Sequence, residues 1–345
     1  MPSTHRPAGH EPRGGPAHQV RWPEGVEAVV VAQFGVQAPT RADAGPAVAR
    51  VVGLTALPHG PSKVDRGWHV DAAGVVNEVF ACYWTDPAEH TAWWQSAPVR
   101  EWWAGLDETG PVGHWVEVLT SPLARHETMY SAPVPVGPAG LSLPMEPTDL
   151  HDYPFAALDR IPDSGHDAFD GEPVPFETDL PDGASTLGRR VAVTRVPHNL
   201  CVIRTAQNWG AAPEEQREVY RDKVEPGFRA GFEYMRDNPV DSGCLSARLL
   251  ADVDATTGAD LPGSCVIAWW AGIADMLRWA HDHPTHHRIL GDFWTALVEP
   301  YNVDLRVLLW HEVHVANADA VRMAYVNCHP GTGALARTAA AVAAG

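Results

Sequence analysis

The sequence lacks most of the features that identify a chain at once. Its five cysteines, Cys82, Cys201, Cys244, Cys265 and Cys328, are scattered and odd in number, with no Cys-x-x-Cys pair. That spacing argues against a disulfide framework or a zinc knuckle. Buried, inert thiols in a reducing cytoplasm are the expectation. Positive charge is scarce: 25 Lys and Arg stand against 43 Asp and Glu, for a formal net charge of −18. Phosphate recognition needs a basic stripe, so nucleic acid and anionic membrane surfaces are poor partners. No apolar run reaches the roughly 18 residues of a membrane-spanning helix. There is no Gly-x-Ser-x-Gly elbow for Ser/His/Asp hydrolysis. No phosphate loop or Gly-x-Gly-x-x-Gly follows a strand either. Residues 1–23 are polar and rich in Pro, Gly and His, without the apolar core of a signal peptide. They read as a flexible arm.

The chain does have length and tryptophan. Its 345 residues, 45% of them hydrophobic, suffice for one large domain or two that each bury a core. Fourteen tryptophans carry so much apolar area that most must be buried or line a pocket.

Periodicity divides the chain into two similar units. In the first, over residues 24–122, a β-branched run at 26–36 reads as a buried strand. An Ala/Val-rich stretch at 42–57 is helix-like, and 66–71 and 77–84 form a strand pair. Asp86 as N-cap and Pro87 at the first helical position open a helix. It carries Trp93, Trp94, Trp102 and Trp103, and 114–120 closes the unit as a strand. Residues 123–190 are rich in Pro, Gly and Asp and read as a long connecting segment that contributes to a pocket. In the second unit, over residues 191–345, strands at 199–205, 244–252, 264–270 and 305–315 alternate with helices at 213–238 and 273–297. The second helix is bent or restarted near Pro284. Each unit has the order β-α-β-β-α-β. The pattern predicts an α+β fold of two ferredoxin-like repeats, packed sheet to sheet as a dimeric α+β barrel-like structure whose interior can hold a ligand.

Two histidine patterns could carry chemistry. The run His281-Asp282-His283-Pro284-Thr285-His286-His287 offers a metal ligand on a helix. Proline pushes the preceding residue out of the α region, which disfavours His283, and His287 faces about 100° away from His286. His286 is therefore the preferred ligand. A lone axial histidine suits haem, because the porphyrin supplies the other four ligands. Further on, alternation along 307–315 places His311 on an apolar strand face with Leu309 and Val313, where it could serve as an acid/base catalyst. A solvated histidine cluster and a hydrogen-bonded core histidine are the plainer alternatives. Arg160 interrupts an apolar run in the connecting segment, as a surface ion pair or as a cation reaching into a pocket. Thr205 ends a strand, and β-branched packing explains it equally well. Glu117 lies in Val116-Glu117-Val118 and could face either inward or to solvent.

Several segments together resemble the haem-dependent aldoxime dehydratases. They are FGVQ at 34–37, YWTDPAEH at 83–90, REWW at 100–103, VIRTAQNW at 202–209, MRDNPVDSGC at 235–244, RWAHDHPTHHRI at 278–289, LWHEVHV at 309–315 and YVNCHPGTGAL at 325–335. The resemblance implies a lyase that converts R–CH=N–OH to R–C≡N and water on haem b with ferrous iron. It implies His286 as proximal iron ligand, His311 as distal acid/base, Arg160 as distal arginine and Glu117 as the glutamate that tunes His311. The family's distal serine corresponds to Thr205, which keeps the hydroxyl and adds a methyl. A small aldoxime as substrate and a homodimer are the expected partners. The alternatives are a haem peroxidase or chlorite-dismutase-like oxidoreductase on the same architecture, or a haem-binding protein without catalysis.

Overall fold

The computed structural model describes residues 4–12, 15–172, 174–181 and 183–338. The chain opens with β1 (Ala17–Arg21). The first unit then runs β2 (Ala28–Ala38), α1 (Arg41–Thr55), β3 (Lys63–Val70), β4 (Val76–Trp84), α2 (Pro87–Gln95), α3 (Ala97–Ala104) and β5 (Gly113–Pro122). A middle stretch supplies β6 (His126–Tyr130), β7 (Leu143–Thr148), α4 (Ala156–Arg160), β8 (Glu177–Thr178) and β9 (Arg190–Arg195). The second unit runs β10 (Leu200–Asn208), α5 (Glu214–Val219), α6 (Glu225–Asp237), α7 (Pro239–Ser242), β11 (Cys244–Val253), β12 (Asp260–Trp270), α8 (Ile273–Asp282), α9 (Pro284–Phe293) and β13 (Leu308–Ala316), followed by β14 (Val321–Val326). Among the described residues fourteen strands form one antiparallel succession, β7-β1-β6-β13-β10-β12-β11-β3-β4-β2-β5-β14-β9-β8. The four strands of each unit therefore lie in the same spatial order, fourth-first-third-second, and the units meet edge to edge where β11 pairs with β3.

Local chemistry explains the elements. Asp86 caps α2 by accepting from the Ala88 N–H at 2.7 Å, and Thr40 caps α1 by accepting from Asp43, each satisfying an N–H with no partner inside the helix. Strand β2 is buried at every position but its first. One of its faces packs, with Trp84, Trp93 and Val99, under α1–α3. The other face turns toward the second unit. Gly35 lies in this strand because a Cβ there would sit 1.8 Å from the Trp115 indole. A shared core joins Val79, Trp115 and Leu119 of the first unit to Val202, Ile267 and Trp310 of the second. A third core packs α4, α6 and α8 against the outer face of β10, β12 and β13. All five cysteines are buried and unpaired. Burial pushes the Cys244 and Cys265 thiols up to about 12, so they stay protonated.

Two expectations change. The arm at residues 1–23 is ordered where described: Ala17–Arg21 pairs with β7 and β6, and residues before it bind the middle stretch. The stretch 123–190 is not all loop, because His126–Tyr130 and Leu143–Thr148 extend the sheet. Helix 213–238 is helical nearly throughout, with a π turn at Tyr220–Val224.

Glu117 of β5 departs from its expected role. Its carboxylate takes Arg248 through both oxygens, at 2.6 and 2.7 Å. It also accepts from the Trp269 indole at 3.0 Å and the Tyr325 hydroxyl at 2.9 Å. The C-terminal loop closes over this pair at Gly333, with φ of +50° and so little room that a Cβ would lie 2.1 Å from Glu117 Oε1. Glu117 thus anchors the interior to the loop at Gly333 and has these partners on the side away from His311. Glu117→Ala would leave a buried arginine without its carboxylate. We expect an unfolding free energy lower by about 3–5 kcal/mol, read from the denaturant midpoint. Adding Arg248→Leu should recover much of that loss by removing the second charge.

Candidate active site

Antiparallel register assembles the site on the outer face of the second unit. Thr205 of β10 and Met129 of β6 stand directly opposite His311 of β13, one on each side. Directly opposed residues share a face, so all three point toward the helix layer. Glu127 lies two residues before Met129 and shares that face. Its Oε1 sits 3.0 Å from His311 Nε2. Arg160, at the end of the one-turn α4, reaches the same point. Its Nε donates to Glu127 Oε2 at 2.7 Å, its Nη1 donates to the Leu150 carbonyl, and its Nη2 lies 3.3 Å from His311 Nε2.

The three groups form a charge-balanced cluster. The Glu127 carboxylate is fully buried. Burial alone would raise its pKa, but Arg160 and His311 outweigh that and hold it down at about 2. The result is a permanent anion beside the imidazole. When His311 Nε2 carries a proton it can donate to Glu127; when it does not, it can accept from Arg160. That nitrogen therefore has a hydrogen-bond partner whether or not it carries the proton. The Thr205 hydroxyl, half-buried beside His311, has no side-chain hydrogen bond among the described residues.

The histidine cluster is sorted by local structure. His283 is extended, with ψ of 132°, and caps α9 by accepting from Thr285. Its ring stacks on Tyr234 with centroids 3.9 Å apart. His287 is exposed and reaches the His281 carbonyl at 2.5 Å. His286 keeps a buried Nδ1 with no hydrogen-bond partner among the described residues, and its ring packs edge-on against Trp279 with centroids 4.9 Å apart. Burial lowers its pKa to about 4, so it is neutral at pH 7. A neutral imidazole with an unpaired, buried nitrogen fits a haem iron ligand. Trp279 and Ile289, which flank His286 on α8 and α9, pack with Ile203 and Leu249 of the sheet into one apolar core. His286 and His311 thus belong to the two layers that meet across this core, one on the helices and one on the sheet.

The structure brings Arg160, Thr205 and His311 together and sets His286 in the facing layer. Glu117 is elsewhere, and Glu127 takes the place expected for it beside His311. The signal for Glu127 was the alternation in His126-Glu127-Thr128-Met129-Tyr130, a strand-like pentad hidden in a segment read as loop.

Comparison with known proteins gives the family and the overall fold. Residues 32–334 match the family model of the haem-containing dehydratases. The chain is 34% identical over 337 residues to a phenylacetaldoxime dehydratase of Bacillus sp. (strain OxB-1), covering 97% of this chain and 93% of that one. It is 34% identical over 320 residues to an aliphatic aldoxime dehydratase of Pseudomonas sp, covering 90% and 88%. A crystal structure of an aldoxime dehydratase in complex with butyraldoxime superposes with a TM-score of 0.89 at 29% identity, covering 97% of this chain and 92% of that one.

The depressed pKa of Glu127 has a signed consequence. Its ion pair contributes full stability above the ordinary glutamate value of 4.5 and loses it as pH falls toward about 2. The stability gap between the wild type and Glu127→Gln should therefore narrow by about 3 kcal/mol across that window. Urea titrations at several pH values test this, and a gap that stayed constant would contradict the assignment.

Proposed function

Since this chain belongs to the haem-containing dehydratase family, we propose that it holds haem through His286 and dehydrates aldoximes, R–CH=N–OH, to nitriles and water. The observation that carries the reading is the Glu127–Arg160–His311 cluster beside Thr205, set on the sheet face that the His286 helix covers. The named relatives act on phenylacetaldoxime or on aliphatic aldoximes.

Bound ferrous haem would supply electron density to the C=N–O unit and so weaken its N–O bond. The remaining work belongs to the chain. Hydroxide is a poor leaving group. The His311 imidazolium donates a proton to the oxime oxygen as N–O breaks, and water leaves. Positioned general acids of this kind contribute about 10²–10⁴-fold. The Thr205 hydroxyl and the Arg160 guanidinium hold the oxime hydroxyl near His311, which removes orientational freedom from the step. Neutral His311 then takes the proton from the aldoxime carbon and returns to its starting form. Glu127 stabilises the imidazolium throughout.

The two units read as ferredoxin-like repeats closing face to face as an α+β barrel. Their matching strand order, their shared core and a small cavity lined by Val31, Tyr83, Arg204 and Glu312 from both units support this.

Three variants test the roles. His286→Ala should stay folded and lose the haem Soret band; full haem occupancy would remove His286 from the role. His311→Ala should retain haem and bind aldoxime, yet lose kcat by about 10²-fold or more. Thr205→Ala should lose the equivalent of one hydrogen bond, about 0.5–1.5 kcal/mol in kcat/KM. Near-normal turnover by His311→Ala alongside an inactive Thr205→Ala would show the acid to be misassigned.

A further inference from the structure

Arg160 sits on a support that its own sequence cannot stabilise. Helix α4 is five residues long and has no side-chain cap, and a single turn has little stability of its own. It enters through Phe155 at φ of +64°, a left-handed conformation that costs a non-glycine residue about 1–3 kcal/mol and persists only when its surroundings impose it. Something outside the helix must hold it.

The N-terminal arm provides that hold, from 154 residues away. The Asp159 carboxylate, only 4% exposed, accepts the His5 backbone N–H through both oxygens at 2.9 and 3.0 Å. His5 Nδ1 adds a contact at 2.9 Å and the Tyr153 hydroxyl donates at 2.8 Å. Arg6 pairs with Asp149 at 2.6 Å and donates to the His10 carbonyl at 2.9 Å. His10 in turn lies 3.0 Å from the His151 carbonyl, and its ring packs edge-on against Tyr153. The arm thus binds both ends of the segment that carries Arg160, and the residue it grips hardest directly precedes Arg160. On the other side Phe155 stacks on His281, with centroids 5.6 Å apart.

We propose that the N-terminal arm is a strap across residues 149–160, and that Asp159, held by His5, is a positioning residue that aims the Arg160 guanidinium at Glu127 and His311. The inference rests on the reading that Arg160 holds the oxime hydroxyl. The strap acts on no reacting atom. It narrows the range of positions Arg160 can occupy.

The test uses the haem-loaded enzyme with residues 2–12 deleted, Asp159→Asn, Arg160→Ala, and each of the first two combined with Arg160→Ala. The deletion and Asp159→Asn should keep the Soret band and lower kcat by about 10- to 100-fold, since small misplacements of a positioning group have effects of that size. In the Arg160→Ala background neither should lower kcat further, because a residue acting only through Arg160 has nothing left to position. A general loosening of the fold would lower kcat in both backgrounds and would overturn the proposal. Should Asp159→Asn fail to fold, the deletion, which leaves every core residue in place, decides alone. If Arg160→Ala is impaired and the deletion is fully active, the strap is wrong and the site reading stands. If Arg160→Ala itself is fully active, the site reading has failed.

Discussion

The site depends on one buried carboxylate. Glu127 has no exposed side-chain surface, and an isolated anion there would cost several kcal/mol. Arg160 and His311 make it tolerable, and the carboxylate in turn decides where both must be. Its two oxygens are divided, Oε2 to the guanidinium and Oε1 to the imidazole. A strand from the middle stretch, a one-turn helix and the last strand of the second unit are thereby fixed to one point. Removing Glu127 or Arg160 would leave a buried charge without its counterpart, whereas removing His311 leaves that ion pair intact.

The alternation of a strand puts two polar systems back to back on β13 without mixing them. His311 and Val313 face the helix layer. Glu312 and His314 face the interior, where Glu312 accepts from the Tyr83 hydroxyl and lies 3.2 Å from His314. Arg204, next to Thr205 on β10, donates to Asp65 at 2.7 Å and to Tyr83 at 2.8 Å. A one-residue slip between β10 and β13 would exchange the faces and destroy both systems. The interior network thus holds in register the two strands that place Thr205 beside His311.

The element order of each half was legible in the sequence because hydrophobic periodicity and caps are local. The buried run of β2, Asp86 and Pro87 at α2, and the break at Pro284 are where the pattern predicts them. The place of His311 was legible for the same reason, as the polar ring on one apolar face of its strand. The choice between Glu117 and Glu127 was not, because each sits in a strand-like alternation and neither local pattern reports what lies opposite. Arg248 opposite one and Arg160 opposite the other are separated from them by 131 and 33 residues. The order of the arm was hidden likewise: nothing in a Pro-, Gly- and His-rich stretch shows that Asp159 will accept its backbone N–H.

The histidine cluster shows how a fold makes four similar side chains unequal. Pro284 cannot continue α8, so His283 becomes the cap of a new helix and its Nδ1 is used in that cap. His281 turns to Asp282 and His287 to a carbonyl. Only His286 of this run is left with a buried nitrogen that has no hydrogen-bond partner among the described residues, and burial lowers its pKa to about 4. His286 and His311 both stand on long elements that share the packed core. Arg160 alone stands on a single turn tied from outside. The arginine is therefore the member of the site whose aim depends most on contacts made outside its own helix.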